Sequence, residues 1–306
     1  MRFIIIVLTV LSFYTQVYAS DFPAKEVYAK FSPSVVVIKA SKEGGSGMIG
    51  AGSIISDKGL IITNAHVVVS KDDNLPYPKL RIYIRPDKLT GSAQEDLSNY
   101  FDAEVLRYSK DLDLALIKIK DFNLKSGTIE FADPSDINVG EEVVAIGHPE
   151  QGGFWSLTYG RISGEMKDYQ GVTGKDVYQT DTSVNRGNSG GPLLDRRGYM
   201  VAINSNIARL GRDGLPITGV NFSIKSSVVK KWLNENEYTI AYGKKPLDEE
   251  GKKTEAIEAG KKPDTQKVED RFNTPARPYD YNEFLKAAEK DIEGVMEEMK
   301  GKIKRK

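Results

Sequence analysis

The 306-residue chain has no cysteine, two histidines, and 43 basic side chains balanced by 43 acidic ones. Without cysteine there is no disulfide framework, thiolate metal site, iron–sulfur cluster or thiol nucleophile, and two histidines are too few for a His-rich metal centre. A net charge of zero argues against a surface built for nucleic acid, and 40% hydrophobic residues are enough for a buried core.

At the N-terminus, Arg2 and the apolar run Phe3–Leu11 have the proportions of an export signal, shorter than the about 20 residues of a membrane span. Val17-Tyr18-Ala19 offers a cleavage site after Ala19, so residues 1–19 are expected to be a signal peptide and the protein to work in the periplasm or outside the cell. Runs of strand length and β-branched character follow: SVVVIKA, AGSIIS, GLIITN, LRIYI, LALIKI, EVVAIG, YMVAIN and VNFSI, parted by Gly, Asp, Asn and Pro. They predict an all-β body, a sandwich or barrels. Gly45–Gly50 (GSGMIG) matches a dinucleotide-binding pattern, but more strand follows it instead of a helix, so hairpin or bulge glycines are the expectation. Asp87–Tyr100 is long for a turn and reads as a surface loop.

Within the body only Ser226–Asn236 reads as a helix, with Val228, Val229, Trp232 and Leu233 on one face and Ser226 or Ser227 as cap. Residues 241–278 are mostly charged and read as a flexible linker. In the segment 279–306, Leu285, Ala288, Ile292, Met296, Met299 and Ile303 recur at helical spacing, which predicts an amphipathic tail helix. Its many Glu residues disfavour a membrane-surface role.

The chemistry is carried by three segments. RGNSGGPLL (Arg186–Leu194) sets Ser189 between glycines, as a nucleophile on a sharp turn requires. TNAHVV (Thr63–Val68) places His66 after a strand, and DLDLALIKI (Asp111–Ile119) places Asp113 at the head of one. His, Asp, Ser in that order is the order of the chymotrypsin-type triad. His148, in a Gly-His-Pro turn after EVVAIG, competes for the role of general base, but a loop-stabilising role fits it better.

With VAIGHP, QTDTSVNRGNSGGPLL and VNFSIKSS in the same order and spacing, the sequence resembles the bacterial HtrA/Deg branch of trypsin-like serine proteases, from about Pro33 to the helix after Ser226. The resemblance implies two perpendicular six-stranded barrels within a protease domain of residues 20–240, the first about 33–120 and the second about 131–225, followed by helix 226–236. It implies an endopeptidase in which Ser189 attacks the scissile carbonyl, His66 takes its proton, and Asp113 holds the imidazole. Backbone N–H groups of Gly187 and Ser189 would form the oxyanion hole, and Val184, Ile203, Asn204 and Ser205 the primary pocket and substrate-pairing edge. Asn188 stands where digestive relatives have Asp, so no activating ion pair with a new N-terminus is expected. No cofactor is expected. Polypeptides would be the substrates, and a trimer built through Phe22, Tyr28 and Phe31 the assembly. Gly243–Lys306 is too short and too charged for the PDZ domain that most relatives carry. Two other functions are compatible with the sequence: a chaperone that holds polypeptides on a protease-like fold, and a processing protease of narrow specificity.

Overall fold

The computed structural model describes residues 22–42, 47–122, 127–150, 152–185, 187–205 and 219–243. The chain divides into a unit of residues 1–245 and a unit of residues 246–306. The expected signal segment, the tail helix and nearly all of the expected linker lie outside the described residues.

Six strands close the first barrel: β1 (Val35–Ser41), β2 (Gly47–Ile54), β3 (Leu60–Thr63), β4 (Lys79–Ile84), β5 (Phe101–Ser109) and β6 (Leu114–Ile119), in the order β1-β2-β3-β6-β5-β4. Six more close the second: β7 (Glu142–Gly147), β8 (Ser156–Met166), β9 (Val177–Thr180), β10 (Pro192–Leu194), β11 (Met200–Ser205) and β12 (Asn221–Lys225), in the order β10-β11-β12-β9-β8-β7. Both barrels are antiparallel throughout, as the expected chymotrypsin-like architecture requires.

Side chains alternate across a strand, so a strand buried on both faces is apolar at every position. Val36, Ile38 and Ala40 of β1 fill the first barrel with Ala115, Ile117 and Ile119 of β6. Val35, Val37, Leu114 and Leu116 point the other way and join Val144, Ile146, Leu194 and Ile203 of the second barrel in a shared core. That double burial makes these strands conspicuous in the sequence. The strands that the patterning did not show are partly exposed or very short: β5 buries only Ala103 and carries a bulge between Val105 and Arg107, β8 buries only Gly160 and Ile162, and β9 and β10 have four and three residues. Gly47 and Gly50 lie in β2, paired with Ser41 and Ile38 of β1, so a strand continues through this motif.

Helix α4 (Ser226–Glu235) buries Val228, Val229, Trp232 and Leu233 as expected. Its cap differs: Lys225 is the N-cap, and the Ser226 hydroxyl instead donates to the Ala132 carbonyl at 3.5 Å. Three helices were not legible: α1 (Ala24–Phe31), α2 (Ala65–Val68) and α3 (Ala93–Asp96). The last folds the 87–100 loop on itself, because the Asp96 carboxylate accepts from Thr90 N at 2.8 Å, Thr90 Oγ1 at 3.0 Å and Gly91 N at 3.1 Å. In and beside α1, Phe22 stacks edge-on against Tyr159, Tyr28 bonds the Trp155 carbonyl and Phe31 lies against Gly198. The three aromatics expected at a subunit contact thus pack on their own second barrel. The body also runs past its expected end at 240, since Gly243 N donates to Phe131 O at 2.8 Å.

Candidate active site

The first barrel presents an acid–base pair. β3 ends at Thr63, and α2 turns the chain so that His66 faces the cleft. Asp113 closes the turn before β6 with its N–H on Lys110 O and a φ of +58°, a left-handed conformation that Asp tolerates better than most residues. His66 Nδ1 lies 2.9 Å from both Asp113 carboxylate oxygens, and the His66 backbone N–H donates to Oδ1 at 3.0 Å. Asn64 Nδ2 donates to the Asp113 carbonyl at 2.9 Å, and Ser205 Oγ donates to Asp113 Oδ2 at 3.0 Å. Burial pushes the Asp113 carboxyl up, but the hydrogen bonds and charge of His66, with the bond from Ser205, together hold it below the usual carboxylate range. Asp113 is therefore an anion that fixes the imidazole with Nε2 left for the cleft.

Ser189 comes from the second barrel, on the loop between β9 and β10. The turn is closed by Asn188 N donating to Asn185 O at 3.0 Å and Gly191 N donating to Asn188 O at 3.1 Å. It is stitched to the first barrel where Ala51 N donates to Ser189 O at 2.8 Å. Gly190 has a φ of +84°, and a Cβ there would overlap Thr63 Oγ1 and Ala51 O, so only glycine lets the two barrels meet at this point. Asn188 donates from Nδ2 to Ser183 O at 3.4 Å, and its buried Oδ1 has no partner among the described residues.

His66, Gly187 and Ser189 line one cleft of roughly 710 Å³, with Met48, Ile49 and Phe154 as apolar walls and Lys71 and Glu150 as charged ones. His66 of the first barrel and Ser189 of the second, both expected from the sequence to be catalytic, thus line the same cleft. The four pocket residues are placed differently. Val184, Ile203, Asn204 and Ser205 are buried and do not line this cleft. Asn204 exchanges backbone hydrogen bonds with Gly190 and Gly191, and its side chain bonds Pro192 O and Ser223 Oγ. Ile203 belongs to the shared core. Both support the Ser189 loop from beneath, because packing and ladder bonds already use their side chains and backbone. Ser205 carries the hydroxyl that braces Asp113. The residues that follow it, 206–218, lie outside the described residues.

Two further residues act on the site. Lys175, from the hairpin between β8 and β9, is 5% exposed and donates from Nζ to Asp111 O at 2.9 Å, two residues from Asp113. Burial pulls its pKa down against the charges of Asp113 and Asp111. A lone lysine in a turn ordinarily reads as solvated, so no signal marked it. His148 is fully buried, and its Nδ1 accepts from Trp155 N at 3.0 Å, the loop-stabilising role expected of it. Desolvation lowers its pKa to about 4, partly opposed by a backbone contact with Val36. It is thus neutral at pH 7, and its ring is committed to the loop. No cluster of three or more His, Asp or Glu suited to a metal occurs among the described residues.

The family model of the trypsin-like peptidase domain matches residues 50–203. Protease Do-like 5, chloroplastic, of Arabidopsis thaliana is 30% identical over 236 residues, spanning 71% of this chain and 69% of that protein. Serine protease HTRA1A of Danio rerio is 31% identical over 234 residues, spanning 72% of this chain and 42% of that one, so the match takes in less than half of this second relative. Among solved structures, the HtrA-type protease AlgW with tripeptide superposes with a TM-score of 0.55 at 24% identity, over 70% of this chain and 64% of the other. The serine endoprotease from Yersinia pestis gives 0.51 at 25% identity, over 69% and 65%.

Proposed function

This chain belongs to the HtrA/Do-like family of trypsin-like serine proteases, and from that premise we propose that it is an exported endopeptidase which hydrolyses unfolded or damaged envelope proteins. The observation that carries the reading is the contact of His66 Nδ1 with Asp113 at 2.9 Å on one wall of a cleft whose other wall holds Ser189. Peptide hydrolysis needs a hydroxyl made nucleophilic, a base that becomes an acid, and a place for negative charge.

In the proposed sequence, His66 Nε2 accepts the Ser189 proton as Oγ attacks the scissile carbonyl. The resulting oxyanion is held by the N–H groups of Gly187 and Ser189. The imidazolium, stabilised by Asp113, gives its proton to the leaving amine. Water then attacks the acyl-enzyme with His66 as base, and Ser189 leaves with the proton returned. Asp113 remains ionised throughout, in keeping with its lowered pKa.

The test is digestion of an unfolded protein such as reduced casein. The wild type should cleave it and be labelled by a fluorophosphonate at Ser189, and Ser189→Ala should lose both. Binding of casein without cleavage by the wild type would favour a holding chaperone. Few products from a mixed set of unfolded proteins would favour a processing protease. Export is tested separately: the mature protein should begin at Ser20. Homotrimer formation, the assembly carried over from the family, is tested by sedimentation of that mature protein.

A further inference from the structure

Asn188 stands where an ion pair with a new N-terminus would need a carboxylate, so the loop of the proposed oxyanion donors lacks that anchor. A different support is built beneath it. Gly187 has a φ of +95°, its carbonyl accepts from His148 N at 3.3 Å, and a Cβ on it would overlap the His148 carbonyl oxygen. The His148 backbone is therefore the floor on which Gly187 rests. The His148 ring is fixed in turn by Trp155, whose N–H donates to Nδ1 at 3.0 Å and whose indole meets the imidazole edge-on at 5.0 Å.

Trp155 is itself held in an unfavourable state. Its φ is +53°, an outlier for a bulky aromatic residue, and such conformations persist only where the surroundings over-determine them. Three contacts do so. The indole Nε1–H donates to Val35 O at 2.7 Å, the ring packs in the shared core, and Tyr28 of α1 donates its hydroxyl to the Trp155 carbonyl at 2.7 Å. Tyr28 is steadied by the Arg85 guanidinium, 5.6 Å from its ring centre, and by the burial of Val27 beside it.

We propose that α1 is an intramolecular brace for the oxyanion loop, acting through the contacts Tyr28–Trp155–His148–Gly187. Tyr28, Trp155 and His148 are positioning residues, because each acts on Gly187 through its neighbour in this series. The brace takes the place of the missing ion pair: a segment preceding the first barrel holds a strained turn of the second, and that turn holds Gly187. The inference rests on the proposed role of Gly187 as an oxyanion donor. It gives the N-terminal segment a way to set catalytic competence, since anything that lifts α1 off the second barrel removes one of the three contacts that hold Trp155.

The test uses the full chain with two readouts, peptide hydrolysis and amide hydrogen exchange of the segment 187–191. Tyr28→Phe removes one hydroxyl and keeps the ring. It should lower kcat about three- to tenfold with KM within about twofold, and should speed exchange in 187–191 while β1 to β6 keep their protection. His148→Ala should do the same more strongly. His148→Asn, whose Oδ1 can accept the Trp155 N–H where Nδ1 did, should recover most of the loss. Unchanged kcat and unchanged exchange in Tyr28→Phe would overturn the brace, as would equal behaviour of His148→Ala and His148→Asn. If the wild type shows no Ser189-dependent hydrolysis, the protease reading falls, and the exchange data alone still decide whether α1 holds the loop.

Discussion

The two barrels share a strand count and a closure but contribute unlike halves of the site. In the first, the Asp113 carboxylate receives hydrogen bonds from the His66 ring, the His66 backbone and Ser205, and the Asp113 carbonyl receives one from Asn64. In the second, Ser189 rides on a turn with two glycines at positive φ and a neighbouring Asn188 oxygen that is buried without a partner among the described residues. The Asp113 carboxylate is saturated with hydrogen bonds, one of them from Ser205 of the second barrel, whereas the Ser189 turn is propped from outside. The difference follows from the work of each. In the proposed mechanism charge has to be held constant at Asp113, whereas the loop of Ser189 must present backbone donors to a substrate and so cannot bond them all internally.

Breaking the first half should have the largest effect. Asp113→Asn removes the anion that fixes the imidazole tautomer and should reduce kcat by about 10,000-fold with the fold retained, read by peptide hydrolysis and by circular dichroism. A loss of under about tenfold would mean that Asp113 is not the orienting acid. Gly187→Ala attacks the second half. The added methyl meets the His148 carbonyl, and the turn has to shift, so turnover should fall about 100- to 1,000-fold through displaced oxyanion donors. Wild-type turnover in this variant would show that the loop is looser than its contacts imply.

Acid should also separate the halves. His148 has its folded pKa lowered to about 4 from an ordinary value of 6.5. Between these values the unfolded chain binds a proton that the native chain refuses, so stability is complete above about pH 6.5 and declines as pH falls towards 4. The decline should reach about 3 kcal/mol, measurable as a falling denaturation midpoint, and His148→Asn should flatten it over the same window. A profile unchanged by that substitution would show that other groups drive acid unfolding. The smallest effects belong to the outer supports of Asp113. Ser205→Ala and Lys175→Met should each lower kcat/KM by about tenfold or less, and the second should change stability little, because a buried cation is exchanged for an apolar chain of similar length. A larger stability loss in Lys175→Met would identify it as a structural tie between the barrels.

Legibility followed burial. The runs that became β1, β6, β7 and β11 are apolar on both faces and stand out in the chain, whereas β5 and β8 hide because water covers much of one face. Helix α1 went unseen because eight residues with only Val27 fully buried leave no extended apolar stripe. The site behaved likewise. His66, Asp113 and Ser189 each sit in a short motif with its own composition, so they could be named without coordinates. Val184, Ile203, Asn204 and Ser205 were placed only by resemblance, and their surroundings turned out to be core packing, ladder bonds and, for Ser205, the carboxylate of Asp113.

What the sequence determined by itself was therefore local: which segments form strands, which turn carries a serine between glycines, and the order of the three residues along the chain. Tertiary structure decided who touches whom. His66 and Asp113 are 47 positions apart, Ser205 and Asp113 are 92, Lys175 and Asp111 are 64, and Tyr28 and Trp155 are 127. The physical reason is that periodicity and turn chemistry act over a few residues, whereas the partner of a buried polar atom is chosen by barrel closure and packing. The same holds for the histidines. Two histidines exclude a His-rich metal centre by number alone, but only the structure separates His66, paired with Asp113, from His148, which is buried and accepts from Trp155 N.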